Sequence, residues 1–461
     1  MKNIIKVIIL SSGILFSCRG SKKTSQFDES LNNGKISESL IFSATEIKKN
    51  ISKDITTENK FHYENAVYKP SINTVQLHPL RFEIGNPILH LSLKDSLLLS
   101  FDDLSNIPQN YTYTLIHCNA DWTPSDLVES EYLEGFFNEP ITDYQFSFNT
   151  IQNYIHYQTT IPSANLKPTL SGNYLLIVFP ENQKHQPILS QRMMILDEKI
   201  SINGSVKRAT NLDYRNYKHE IDFIINHSGY EIDNPFVDIM PVITQNYRWD
   251  NTITGLQAVF VKDSKIIYDH EEENLFDGGN EYRFFEIQSL RYLSERLASI
   301  SFESDTHRVV LRTDKARSFQ RYSGLVKDIN GKRLIRKQES SRHAIEADYT
   351  LVSFTLPYEH EISHGDLYVF GQISNYVFPE SHRMTYNKEK RYYEANIYLK
   401  QGYYNYEYVL KKFDGENLNR FIEGSHYQTD NDYHIYIYHR QTGESYDRLI
   451  GIQKLTSKDL L

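Results

Sequence analysis

The stretch "YHIYIYHR" (433–440) places an aromatic or branched side chain at every second position, and only an extended backbone turns that period into two distinct faces. The same texture recurs in "YTYTLIHC" (111–118), "YYEANIYL" (392–399) and "YYNYEYVL" (403–410). Such residues favour strands because flat and branched side chains pack well on a pleated surface. With 34 Tyr and 24 Phe against 20 Gly and 2 Trp, the chain carries strand formers along most of its length. Strand-length runs separated by Asp, Asn, Pro and Gly predict an all-β protein of the sandwich or barrel type.

Three sets of runs divide the chain. The first, expected as one domain over 63–199, includes "ILHLSLKDSLLLSFDDL" (88–104), "DYQFSFNT" (143–150) and "YLLIVF" (174–179). The last is apolar throughout, as a central strand buried on both sides requires. The second domain is expected over 200–320, with "HEIDFIINHSG" (219–229) and "FVDIMPVITQN" (236–246). A hairpin or linker region follows over 321–348, where Asn330-Gly331 suits a tight turn with positive φ. The third domain is expected over 349–461. Residues 284–299, "FFEIQSLRYLSERLAS", read either as a short helix with Ile287, Leu290, Leu293 and Leu297 on one face, or as two strands. Gly172-Asn173-Tyr174 and Gly402-Tyr403-Tyr404 each open a strand with a corner Tyr whose hydroxyl can return to backbone, a feature of immunoglobulin-like sandwiches. The expected architecture is a tandem array of immunoglobulin-like β-sandwich domains.

One motif suggests chemistry. His360-Glu361-Ile362-Ser363-His364 matches His-Glu-x-x-His, which on a helix holds zinc and a general base. Two His at i and i+4 lie about 6 Å apart on a helix but about 13 Å apart on a strand. Pro357 and Gly365 bracket the motif, strands flank it, and no Gly-x-x-His extension follows, so a strand end with a turn is expected there. His117 and Cys118 are neighbours on a strand and point to opposite faces, which prevents them from forming a nucleophile–base pair with each other. Asp102 and Asp103 stand at a strand end without a further carboxylate cluster. Lone carboxylates and histidines elsewhere read as solvated, and so does the basic cluster "GKRLIRKQESSR" (331–342), which Glu339 interrupts. No catalytic residue, metal ligand or cofactor is expected.

Formal net charge is −9, which argues against a nucleic-acid partner. The start, "MKNIIKVIILSSGILFSC", has a basic n-region at Lys2 and Lys6, a short apolar core and Leu15-Phe16-Ser17-Cys18, which resembles a bacterial lipobox. Residues 1–17 are therefore expected to be a lipoprotein signal peptide and Cys18 the lipidation site. Residues 18–62 are expected to form a polar tether with a reach of about 35 Å. No acidic run follows the Cys, which favours the periplasmic face of the outer membrane. With Cys18 lipidated, Cys118 has no partner for an intramolecular disulfide.

The strings "TVQLHPL" (74–80), "YTYTLIHCNADWTPSDL" (111–127), "ITDYQFSFNT" (141–150), "HYQTTIP" (156–162) and "SGNYLLIVF" (171–179) resemble the first domain of the type IX secretion system plug protein family. "GDLYVFGQISNY" (365–376) and "LKQGYYNYEYVL" (399–410) extend the likeness more loosely. The resemblance implies a non-enzymatic, periplasmic, all-β protein. Its implied partner is a giant outer-membrane translocon barrel, whose periplasmic end it seals when no cargo is present. The resemblance carries over no catalytic residues and leaves the partner interface unknown. Two other readings stand beside it. A glycan-binding lipoprotein is one, since the third domain looks like glycogen-binding modules, although Trp122 and Trp249 both lie outside it. A zinc metallopeptidase built on His360, Glu361 and His364 is the other.

Overall fold

The computed structural model describes residues 62–324 and 328–458, so the expected signal peptide, Cys18 and the tether up to residue 61 lie outside the described residues. The described chain is all-β, its helices being single turns of three or four residues. Its strands form three sandwich lobes. In lobe 1 one sheet runs in the order Ala66–Val67, Leu189–Leu196, Gly172–Pro180, Tyr111–Cys118, Glu139–Ile141, with Ile88–His90 added parallel to Leu189–Leu196. The facing sheet runs Ile72–Pro79, Leu97–Asp103, Ile155–Ile161, Asp143–Phe146. Leu99, Phe101, Leu115, Tyr157, Leu176 and Met193 meet between them, out of contact with water.

Alternation along Gly172–Pro180 explains why its sequence is apolar throughout. Tyr174, Leu176 and Val178 face the lobe 1 core, while Leu175, Ile177 and Phe179 face a separate apolar layer. That layer is completed by Val242, Tyr436, Tyr438 and Leu449 of lobe 2. The stretch "YHIYIYHR" behaves in the same way. Tyr433, Ile435 and Ile437 fill the lobe 2 core, and Tyr436 and Tyr438 fill the layer against lobe 1. Two lobes therefore share one buried face.

The expected domain boundaries need correction beyond residue 200. The final hairpin, Asp432–His439 and Arg448–Thr456, pairs with Ile239–Gln245 of lobe 2, with Ile243 opposite Ile435. The other lobe 2 sheet is built on Ser201–Arg208, Lys218–Asn226 and Lys265–Tyr268. Lobe 3 takes Arg283–Glu286, Leu297–Glu303 and Thr306–Leu311 from the segment expected in the second domain. These join Tyr349–Pro357, Gly365–Phe370, Tyr392–Lys400 and Gly402–Lys412. Lobe 3 is thus inserted between two parts of lobe 2. The physical cause is cross-strand pairing between residues some two hundred positions apart, which the order of strands along the chain does not encode.

Within 284–299 the outcome is two strand segments, Arg283–Glu286 and Leu297–Glu303, in different sheets. Ile287, Leu290 and Leu297 pack on the lobe 3 core while Leu293 is exposed, so the shared face is that of an irregular loop. Asn330 and Gly331 have φ of 52° and 78°, as a tight turn needs. The strand that follows, Arg333–Ile335, pairs with Gly402–Lys412. Both corner tyrosines return their hydroxyls to backbone four residues earlier, Tyr174 to the Leu170 carbonyl at 2.8 Å and Tyr404 to that of Lys400. Gly172, at φ +143°, leaves room for the His117 ring, since a Cβ there would lie 2.5 Å from Nε2.

The Tyr404 bond is buried and the Tyr174 bond partly buried, and Tyr174→Phe and Tyr404→Phe are each expected to lower unfolding stability by about 1 kcal/mol. Urea titration followed by tyrosine fluorescence measures the loss, with the far-ultraviolet circular dichroism spectrum expected to stay unchanged.

Candidate functional site

Residues 358–364, which hold the His-Glu-x-x-His match, form bends between strands Tyr349–Pro357 and Gly365–Phe370. His360 and Glu361 are exposed, Glu361 pairs with Lys388 at 3.2 Å, and the His364 ring sits edge-on to Phe421. The segment lacks the helical turn that would converge two imidazoles on one ion. His117 Nε2 donates to the Ser171 carbonyl at 3.2 Å, its Nδ1 lies 2.9 Å from the Ser125 hydroxyl, and burial draws its pKa down to about 4. Cys118 faces the apolar layer between lobes 1 and 2, where burial pushes its thiol up to about 12, far from a reactive thiolate. Glu220, Asp222 and Asp269 are close enough together to hold a metal, yet they surround the Lys207 ammonium, which lies 3.0 Å from Glu220 and 2.5 Å from Asp222.

The charged groups gather instead at the seams between lobes, which reverses the expectation that lone carboxylates are solvated. Asp102 is fully buried within Leu97–Asp103 and meets lobe 3. Its Oδ2 accepts from Lys400 Nζ at 2.6 Å and from the Tyr349 hydroxyl at 2.7 Å, while Oδ1 lies 2.7 Å from His156 Nδ1. Lys400 also donates to the Ala344 carbonyl at 2.7 Å and lies 4.1 Å over the Tyr154 ring. Burial acts to raise the Asp102 pKa, but the Lys400 charge and the hydrogen bonds from His156 and Lys400 hold it below the ordinary carboxylate value. Asp103 is buried beside it and accepts from Tyr111 at 2.6 Å.

The basic cluster belongs to the same seam, contrary to its reading as a solvated face. Lys332 donates to the Ile84 carbonyl and to Asn86, and burial lowers its pKa to about 8. Arg333 donates to the Val75 carbonyl at 2.7 Å, and Arg336 pairs with Glu83 at 2.6 Å. Residues in and beside the short strand Arg333–Ile335 of lobe 3 thereby carry charged heads on aliphatic stems into lobe 1.

Lobes 2 and 3 meet through Arg248, which is fully buried and donates to both oxygens of Asp250, to Glu407 at 2.6 Å and to Asn419. Burial pushes Glu407 up to about 7, with Arg248 pulling the other way. Lobes 1 and 2 meet through aromatics. Trp122 and Trp249 lie edge to face at 5.0 Å, with the Arg192 guanidinium 4.4 Å from the Trp122 ring. Both tryptophans are therefore engaged at a seam, away from the third domain considered for sugar binding.

Among the described residues one edge of lobe 1 is open. Asp143–Phe146 ends its sheet, pairs there with Ile155–Ile161 alone, and all four of its residues are exposed. Tyr144 and Phe146 are 44% and 53% exposed with their rings 6.2 Å apart. Unpaired strand edges bearing large apolar groups are normally blunted or covered, so this edge has the character of a contact surface. The "DYQFSFNT" string carried the signal, because its aromatics alternate with polar residues on a strand that has one neighbour among the described residues.

The fold and seams define an all-β protein of three interlocked sandwiches with an aromatic edge on the first. The family profile for the type 9 secretion system plug protein 1st domain matches residues 72–197, which is nearly all of lobe 1. The crystal structure of a hypothetical protein from Parabacteroides merdae is similar at TM-score 0.83 and 32% identity, covering 86% of this chain and 100% of that one. Collagen adhesin from S. aureus aligns over 84% of this chain and 94% of its own, but at 7% identity and TM-score 0.10. No curated protein matches the chain. The chain belongs to the type IX secretion system plug protein family. Its role is related to type IX secretion, in association with components of that system at the cell envelope.

Lys400→Met strands a buried carboxylate and is expected to cost about 3–5 kcal/mol, with Asp102→Asn added to it restoring part of the loss. Urea unfolding of the two single variants and the double variant measures this coupling. Because the folded pKa of Asp102 is depressed, its contribution is fully present above the unfolded value of about 3.9 and is lost as pH falls through the folded value. The stability gap between wild type and Asp102→Asn should therefore shrink only below about pH 4.

Proposed function

We propose that this protein is a non-enzymatic plug that seals the periplasmic end of the outer-membrane translocon barrel of the type IX system when no cargo occupies it. Cys18 lipidation holds it at the periplasmic face of the outer membrane in this reading. The observation that carries the proposal is the family match over lobe 1, the lobe whose aromatic edge stands free. A plug must span a wide aqueous pore without deforming, and three lobes joined by buried ion pairs and an apolar layer supply such a body. Tyr and Phe on the free edge supply contact area at small conformational cost. Anchoring raises the local concentration at the barrel without any further contact.

Affinity purification of the full lipoprotein from mildly solubilised membranes is expected to recover the barrel. Tyr144→Ser with Phe146→Ser should reduce that recovery several-fold while leaving the melting temperature unchanged. Failure to recover the barrel from wild-type cells would sink the proposal, and unchanged recovery with the double variant would move the contact elsewhere. Cys18→Ser should shift the protein from the membrane to the soluble fraction, as read by fractionation and immunoblot.

A further inference from the structure

Three arginines are buried among the described residues, and they differ in one respect. Arg248 bridges Asp250 and Glu407, and Arg283 bridges Asp314 and Glu423. Arg333, 6% exposed, has no carboxylate within ion-pair distance among the described residues. Its side chain donates through Nη2 alone, to the Val75 carbonyl at 2.7 Å and to Asn375 Oδ1 at 3.4 Å, and Nε has no partner. A guanidinium taken out of water without a counter-ion is costly, and that cost disappears when an anion shares the site.

The side chain lines a cavity of about 380 Å³ at the seam of lobes 1 and 3. Among the described residues no Asp or Glu lines this space, while Lys69 and Lys400 do. Lys400 is already held by Asp102, and Lys69 lies 3.5 Å from Asp103 at the rim, so neither is offset by the cavity itself. The remaining wall is mixed, with Asn375 and Ser381 beside Val67, Ile72 and Val377. A charged head and an apolar body are both accommodated.

We infer that this cavity binds a small organic carboxylate, its oxygens on Arg333 and its apolar part against Val67, Ile72 and Val377. The carboxylate belongs either to a free acid or to the C-terminus of a peptide. A buried guanidinium–carboxylate pair gains charge-assisted hydrogen bonds that water would otherwise supply. The ligand would also tie the two lobes together, since its partners come from both.

Thermal melting and isothermal titration of the whole mature protein test this with isovalerate, N-acetyl-leucine, N-acetyl-leucinamide and inorganic phosphate. A saturable rise in melting temperature is expected with one or both acids and none with the amide. Response to isovalerate alone identifies a free acid, and response to N-acetyl-leucine alone a peptide terminus. Arg333→Met should weaken binding by about tenfold or more. Asn375→Asp places a carboxylate beside Arg333 at a left-handed position that Asp tolerates, so it should raise stability without ligand and abolish the response. The inference is overturned if neither acid binds, if the amide binds as well as the acid, if phosphate alone binds, or if Asn375→Asp leaves the response intact.

Discussion

A lysine ammonium and an aspartate carboxylate, 2.6 Å apart and both shielded from water, fix lobe 3 against lobe 1. Each ion alone would be strongly unfavourable in that place, so the two lobes stabilise each other's charges. The partners come from separate sandwiches, Asp102 from Leu97–Asp103 and Lys400 from Tyr392–Lys400. Pulling the lobes apart returns both ions to water only if each neighbour, Tyr349 and His156 among them, is also re-solvated. Directional bonds of this kind give one docking angle, whereas an apolar layer alone tolerates sliding. The seam of lobes 1 and 2 has the apolar layer, and it too is pinned by direction, through the Tyr438 hydroxyl on Asn173 at 2.7 Å and the Ala120 amide on Asp447 at 2.9 Å.

Topology reinforces that coupling. Lobe 2 is not finished until the chain has built lobe 3, because Ile239–Gln245 waits for Asp432–His439 as its central neighbour. Tyr436 and Tyr438 on that late strand then close the layer against lobe 1. Contacts of such sequence separation slow folding, since loop closure precedes the stabilising pairing. They also make truncation before residue 432 a loss felt in all three lobes. The three sandwiches are therefore expected to unfold as one cooperative unit.

The all-β class was legible from local pattern, since period-two alternation, corner tyrosines and the Asn330-Gly331 turn are decided by nearest neighbours. The turn that replaces a zinc helix at His360–His364 was legible for the same reason, from Pro357, Gly365 and the flanking strands. The domain boundaries beyond residue 200 were not, because pairing of Ile243 with Ile435 leaves no local trace. The seam was missed on a subtler ground. "LLLSFDDL" places two carboxylates inside an apolar strand, and that is a signal of buried charge, but its counter-ion is Lys400, nearly three hundred residues later. The basic cluster at 331–342 looked like a solvated face because composition records charge and not the lobe that receives it.

A body held together in this way narrows what it can do. The shifted pKa values of Asp102, Glu407 and His117 fall on groups that already have structural partners. Perturbed groups at seams report how lobes are joined. Among the described residues, lobe 1 leaves one exposed aromatic edge, that of Tyr144 and Phe146. Such an edge offers main-chain hydrogen bonds to any extended segment and aromatic faces to its side chains, a mode of recognition that suits one protein surface capping another. In the proposed role, interlocked lobes and an aromatic edge are complementary, because a deformable body would leak and a fully satisfied one would not bind.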